Sequence, residues 1–154
     1  MPARGTLWRM PEQPSSIEIL HRFRAPRDAV WSAWTEPELV GRWWGSDPDG
    51  VVTAATLDVR VGGRFAVSFR DATGDAHTSE GTYLHVEPPA ALGFTWSWAS
   101  EPGNTSRVTV ALSADGGDTE MRFVHSELRG ASGHDYADGW RRTFAKLDRV
   151  LAER

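Results

Sequence analysis

Apolar and polar residues alternate along most of this chain, which is the pattern of half-buried β-strands. Near the N-terminus, Ile17, Ile19 and Phe23 follow this two-residue period and predict a first strand. The same period recurs from residue 51 to residue 127, between turns rich in glycine and aspartate such as 115–118. We therefore predict six further strands that pair as an antiparallel sheet.

Helices are predicted in two places by apolar residues three to four positions apart. Pro26 suits a first helical turn, and Pro37 ends that helix and begins another, so two short helices follow the first strand. A capping box at Ser132 and Asp135 predicts the start of a long final helix, which continues to about Leu151. Its predicted inner face consists of Tyr136, Trp140, Phe144, Leu147 and Leu151.

A double proline interrupts two apolar strands within residues 81–96. Neither Pro88 nor Pro89 carries an N–H that could join a strand ladder, so the sheet must bend or change course there. The order of elements predicts an α+β fold with the helices on one side of an antiparallel sheet.

Three segments, taken in chain order, resemble a known family. They are residues 58–65, the double-proline stretch 81–96, and the helical segment that carries Tyr136, Trp140 and Phe144. Together they are similar to the AHSA1-like branch (activator of Hsp90 ATPase homologue) of the START-like, or SRPBCC, superfamily, over roughly residues 16–152. The resemblance implies a helix-grip fold, in which a curved antiparallel sheet wraps around a long C-terminal helix, often with a cavity between them.

The composition is that of one ordinary globular domain. A chain of 154 residues with 40% apolar content and eight tryptophans can fill a sizeable core. We predict a flexible tail over residues 1–15 and one domain over residues 16–154. The net charge of −4 predicts no binding to nucleic acid or to an anionic membrane. Cysteine is absent, which excludes disulfides and thiolate chemistry. We expect a cytoplasmic monomer or homodimer.

The predicted inner faces carry more aromatic bulk than one core layer usually needs. We predict that these residues as a set line a ligand cavity, although each one alone is better explained by core packing. The predicted lining consists of Phe65, Phe69, Trp96, Trp98, Phe123, Tyr136 and Trp140, with Trp43 and its neighbour Trp44 at the cavity mouth.

Two histidines share strand faces with inward apolar residues, His85 with Tyr83 and His125 with Phe123. An inward histidine could orient a ligand or act as an acid or base near neutral pH, or it could be a core residue bonded to backbone. His77 adjoins a hairpin loop and is expected to be solvated. No nucleophile, metal or cofactor motif is present in the sequence. We therefore predict no catalytic residue, no metal and no cofactor.

The leading functional hypothesis is a module that binds a small apolar or aromatic molecule between the sheet and the C-terminal helix. Two alternatives follow from the family resemblance. One is an interaction with an Hsp90-type chaperone, and the other is a cyclase-like or aromatase-like reaction in the same cavity. An open pocket that contains a buried histidine would favour the enzyme hypothesis.

Overall fold

A long C-terminal helix and two short helices accompany a seven-stranded sheet in the computed structural model, which describes residues 15–129 and 135–154. The elements in chain order are β1 (Ser15–Phe23), α1 (Arg27–Thr35), α2 (Pro37–Val40), β2 (Val51–Leu57), β3 (Arg64–Arg70), β4 (Ala76–Glu87), β5 (Ala91–Trp98), β6 (Ser106–Asp115), β7 (Asp118–Leu128) and α3 (Tyr136–Ala152). The predicted α+β order of one strand, two short helices, six strands and a long helix is confirmed.

The sheet has the strand order β1-β7-β6-β5-β4-β3-β2, and every neighbouring pair is antiparallel. It is curved and does not close into a barrel, as the helix-grip fold requires. Pro88 and Pro89 lie in the turn between β4 and β5, so the predicted change of direction is confirmed. The turn at 115–118 joins β6 to β7, with Asp115 paired to Asp118 and Gly116 at a positive φ of 63°.

Trp34 of α1 lies at the centre of the hydrophobic core, where only 2% of it is exposed. Its ring centroid lies 4.8 Å from that of Trp43, 6.3 Å from Phe123 of β7 and 6.1 Å from Phe144 of α3. Phe144 and Leu147 are fully buried. The C-terminal half of α3 therefore closes the core against the sheet and α1.

The helix α3 begins at Tyr136, later than predicted, because Asp135 supplies its cap. The Asp135 carboxylate accepts a hydrogen bond from the backbone N–H of Asp138 at 3.1 Å. Asp138 and Arg142, one turn apart on α3, form an ion pair at 3.0 Å. Ser132, the other half of the predicted capping box, lies outside the described residues, as do residues 1–14 of the predicted tail. Ser15, the last residue of that predicted tail, belongs to β1.

Candidate functional site

A cleft of about 550 Å³ lies between the N-terminal half of α3 and one end of strands β3, β4 and β5. The segment 44–47 after α2 and Asp71 in the β3–β4 turn complete its walls. Asp138 and Arg142, whose side chains are both more than half exposed, also line it. The volume is in the range of small-molecule sites. The N-terminal half of α3 therefore borders a cleft, whereas its C-terminal half closes the core.

Six aromatic side chains form the walls of this cleft. They are Trp44, Phe69, Trp96, Trp98, Tyr136 and Trp140. The rings meet edge to face: Trp96 lies 4.7 Å from Trp98 and 5.6 Å from Tyr136, with interplanar angles of 74° and 89°. The Trp98 indole N–H donates to the Tyr136 hydroxyl at 3.2 Å. Trp98 and Tyr136 are the most exposed of the six, so they offer most of the aromatic surface that a ligand could reach.

His125 of β7 lies buried behind the aromatic wall and does not line the cleft. Its Nδ1 accepts a hydrogen bond from the Trp140 indole N–H at 2.9 Å, and its Nε2 lies 2.7 Å from the Ser106 hydroxyl. That hydroxyl donates in turn to the backbone carbonyl of Trp96 at 3.2 Å. Burial lowers the pKa of His125 to about 3. The ring is therefore neutral at physiological pH, and both of its nitrogens are occupied.

His77 of β4 lies at the cleft with one ring nitrogen held by a carboxylate. Its Nε2 is 2.9 Å from Oδ2 of Asp71, and its ring lies 5.5 Å from that of Phe69 and 5.9 Å from that of Trp98. Hydrogen bonds from the Thr73 hydroxyl and from His77 lower the pKa of Asp71 well below its usual range. Asp71 therefore stays ionised, and its carboxylate orients the imidazole.

Carboxylates outnumber cations around the cleft. Among the described residues, Asp47, Asp71, Asp135 and Asp138 line it, against the single guanidinium of Arg142. The pKa of Asp47 is lowered by the backbone N–H groups of Ala72 and Asp49, which donate to its carboxylate at 2.7 and 2.9 Å. The electrostatic potential of the cleft therefore disfavours an anionic ligand.

The segment 44–47 is fixed to α3 by Lys146, the only lysine of the chain. Its ammonium group donates to the backbone carbonyls of Gly45 at 3.1 Å, Asp47 at 3.0 Å and, at 3.4 Å, Trp44. An ammonium carries three N–H donors that can point at three separate acceptors, which a planar guanidinium cannot do as well. Burial lowers the pKa of Lys146.

The structure divides the ten residues predicted from the sequence to contact a ligand into three groups. Those that line the cleft are Phe69, Trp96, Trp98, Tyr136 and Trp140. Those that are buried away from it are Trp43, Phe65, Phe123 and His125. His85 alone is exposed outside it.

Trp43 is fully buried and does not lie at the cavity mouth as predicted. The backbone N–H groups of both Trp43 and Trp44 bond to the carbonyl of Val40, so a helical turn continues past α2 and separates the two side chains. The Trp43 indole N–H donates to the carbonyl of Ala33 at 2.9 Å. Its neighbour Trp44 lines the cleft instead, with its indole N–H on the Ser79 hydroxyl at 2.9 Å.

The prediction that His85 points inward is wrong because of a β-bulge. The β4–β5 register shifts between Tyr83 and His85, which reverses the alternation of faces. Val86 takes the inward direction, and the exposed His85 pairs with Glu87 at 2.8 Å.

His77 is the residue that sequence reasoning missed, since it was expected to be solvated. It belongs to the same face of β4 as the buried Ser79, Gly81 and Tyr83. Following the two-residue period backward from Tyr83, rather than forward to His85, would have found it.

Within residues 15–129 and 135–154, no three His, Asp or Glu side chains are grouped so that they could hold a metal ion. None of the helices described is long and apolar enough to span a membrane.

The sequence model of the family described as Activator of Hsp90 ATPase homolog 1-like protein matches residues 24–152 of this chain. A comparison with curated proteins finds no match.

Several solved structures share the fold. An AHSA1-like protein from Aeromonas hydrophila is 24% identical, with a TM-score of 0.77 over 90% of this chain and 93% of that one. A protein from Arthrobacter aurescens is 25% identical, with a TM-score of 0.78 over 90% and 87% of the two chains. CalU16 from Micromonospora echinospora is 29% identical, with a TM-score of 0.67 over 88% and 75%.

Proposed function

This chain belongs to the family of Activator of Hsp90 ATPase homolog 1-like proteins, and we propose that it is a module that binds a small apolar or aromatic molecule in the cleft between the sheet and α3. The observation that carries this proposal is the 550 Å³ cleft with six aromatic side chains in its walls. Aromatic walls with a few polar groups at one end are typical of sites for small organic ligands.

Apolar contact would provide most of the affinity. A ligand that buries about 200 Å² of apolar surface would gain roughly 5 kcal/mol, from which the cost of fixing the ligand is subtracted. Edge-to-face contacts with Trp98 and Tyr136 would add about 0.5–1.5 kcal/mol per ring pair. The cleft is held rigid by Lys146 and by the His125 hydrogen bonds, so little of this energy is needed to order it.

We propose that the cleft binds a ligand and that the buried His125 does not act as a catalytic acid or base. Both ring nitrogens of His125 are occupied by Trp140 and Ser106, and its pKa of about 3 keeps it neutral. Such an imidazole can neither take up nor deliver a proton at physiological pH.

The test is fluorescence titration with N-phenyl-1-naphthylamine, a neutral apolar probe, followed by displacement with naphthalene. Gly139 lines the cleft, and a Cβ placed on it would meet only the Ser46 side chain at 3.7 Å. Gly139→Phe should therefore fill the cleft and abolish probe binding without disturbing α3. Gly139→Ala is the matched control and should still bind. Equal affinity of the wild type and Gly139→Phe would show that the probe binds elsewhere, and no binding to the wild type would refute the proposal.

A further inference from the structure

We propose that the ligand of this cleft is an aromatic molecule bearing a hydroxyl group, and that His77, held by Asp71, receives that hydroxyl. The inference rests on the proposed function and specifies the chemistry of its ligand.

The contact between His77 and Asp71 determines which ring nitrogen is available. A carboxylate can only accept, so the 2.9 Å contact places a proton on Nε2 of His77. The other ring nitrogen, Nδ1, makes no hydrogen bond to any of the described residues. The side chain is 38% exposed and lies against Phe69 and Trp98, two members of the aromatic wall. The cleft therefore presents a hydrogen-bonding nitrogen beside a surface suited to an aromatic ring.

The carboxylate that orients His77 is itself held in place. Besides His77, Asp71 accepts hydrogen bonds from the Thr73 hydroxyl and from the backbone N–H groups of Thr73 and Asp75, both at 3.0 Å. The neighbouring Ala72 N–H is bonded to Asp47, so the turn is tied to the other wall of the cleft. A receptor group fixed in this way before binding loses little freedom when the ligand arrives.

The charges around the cleft select a hydroxyl over a carboxylate. Four aspartates and one arginine of the part of the chain that the structure describes line it, so a ligand carboxylate would meet a negative potential. A hydroxyl carries no charge, and it can donate to neutral His77 or accept from protonated His77. A ligand ammonium group would have to share these carboxylates with the hydrogen bonds and the ion pair that they already form within the protein.

The test is a set of probes with one aromatic frame and different polar groups: naphthalene, 2-naphthol, 2-methoxynaphthalene, 2-naphthoate and 2-naphthylmethylammonium. With the wild-type chain, 2-naphthol should bind about 3- to 10-fold more tightly than 2-methoxynaphthalene, since one hydrogen bond distinguishes them. The carboxylate probe should bind most weakly. In His77→Phe the preference for 2-naphthol should fall below about twofold while naphthalene still binds. His85→Phe, a histidine outside the cleft, should keep the wild-type preference.

Each result decides the question. If neither naphthalene nor 2-naphthol binds the wild type, the proposed function fails and this inference with it. If all the probes bind equally, the binding function stands and the role of His77 is refuted. Tightest binding of the ammonium probe would refute it too, because the carboxylates would then select the ligand. The wild-type comparison needs no variant, and His77→Leu replaces His77→Phe if the latter does not fold.

Discussion

The indole N–H of Trp140 donates to Nδ1 of His125 at 2.9 Å, and this bond joins α3 to β7 behind the wall of the cleft. Because Nδ1 is the acceptor, the proton of the neutral ring lies on Nε2, which donates to the Ser106 hydroxyl at 2.7 Å. A chain of hydrogen bonds thus runs from the helix through β7 to β6 and ends on the backbone of Trp96. The helix and the aromatic wall are held in one fixed arrangement.

Acidification below pH 6.5 should destabilise the protein through His125. Its pKa is 6.5 in the unfolded chain and about 3 in the folded protein, so only the unfolded state takes up a proton as the pH falls between these values. The contribution of His125 to the free energy of unfolding is therefore unaffected above pH 6.5 and decreases continuously down to about pH 3. Between pH 6.5 and pH 5 the free energy of unfolding should fall by roughly 2 kcal/mol from this group. Urea unfolding at several pH values measures the slope of the free energy of unfolding against pH.

The control compares two histidine variants over the same pH range. His125→Gln should flatten the slope between pH 5 and pH 6.5, whatever it does to the absolute stability. His85→Gln changes an exposed histidine and should retain the wild-type slope. An unchanged slope in His125→Gln would contradict the assignment of a buried, neutral ring.

Replacing Trp140 should separate the role of its N–H from that of its ring. Trp140→Phe keeps an aromatic ring but leaves Nδ1 of His125 buried without a donor, at a cost of about 1–3 kcal/mol. Trp140→Ala also removes a side chain that is 7% exposed, at a cost of roughly 3–5 kcal/mol. Chemical unfolding should show that Trp140→Ala loses more free energy of unfolding than Trp140→Phe. A cost below about 1 kcal/mol for Trp140→Ala would mean that the ring is not packed as described.

Gly81 should tolerate no side chain. A Cβ there would lie 1.8 Å from the carbonyl oxygen of Thr95 on the neighbouring strand, a backbone atom that cannot move aside. We expect Gly81→Ala to cost at least about 3 kcal/mol and to disturb the β4–β5 pairing. Gly103 has nothing within 4 Å of such a Cβ, so Gly103→Ala should change the stability by less than about 0.5 kcal/mol. Equal melting temperatures for the two variants would disprove the close approach.

Lys146→Met should loosen the segment 44–47 while keeping most of the apolar stem. The ammonium donates to three carbonyls of that segment, and its loss should cost about 1–2 kcal/mol. Hydrogen exchange should accelerate at the backbone amides of residues 43–50 more than elsewhere. Arg149→Met, an exposed cation one turn further along α3, should leave these amides unchanged. Uniform protection in both variants would argue against the anchoring role of Lys146.

The sequence pattern was sufficient to predict the order of the elements. Strands with a two-residue period, glycine-rich turns and a final helix with one apolar face are local properties, and each can be recognised without its partners. The apolar face of α3 was predicted correctly at Trp140, Phe144, Leu147 and Leu151, all of which are buried. The break at Pro88 and Pro89 was also local, because proline lacks the N–H that a strand ladder needs.

The sequence pattern could not predict which aromatic residues lie in the core and which border the cleft. Phe123 and Trp98 lie on inward strand faces in the same way, yet Phe123 is fully buried in the core and Trp98 borders the cleft. The difference lies in which half of α3 covers each residue, since Phe144 packs against Phe123 at 5.0 Å and Tyr136 meets Trp98 at its hydroxyl. No pattern within one strand records which part of a distant helix lies above it.

The sequence by itself determined the elements, their order and the face of each strand up to the first irregularity. The tertiary structure alone decided that His85 is exposed, because a bulge that depends on pairing with β5 reverses the faces of β4 after Tyr83. It also decided that His125 is a neutral structural residue, since its hydrogen-bond partners are Trp140 on α3 and Ser106 on β6 and burial in the folded protein lowers its pKa. Periodicity depends on neighbours in the chain, whereas burial, hydrogen-bond partners and protonation depend on neighbours in space.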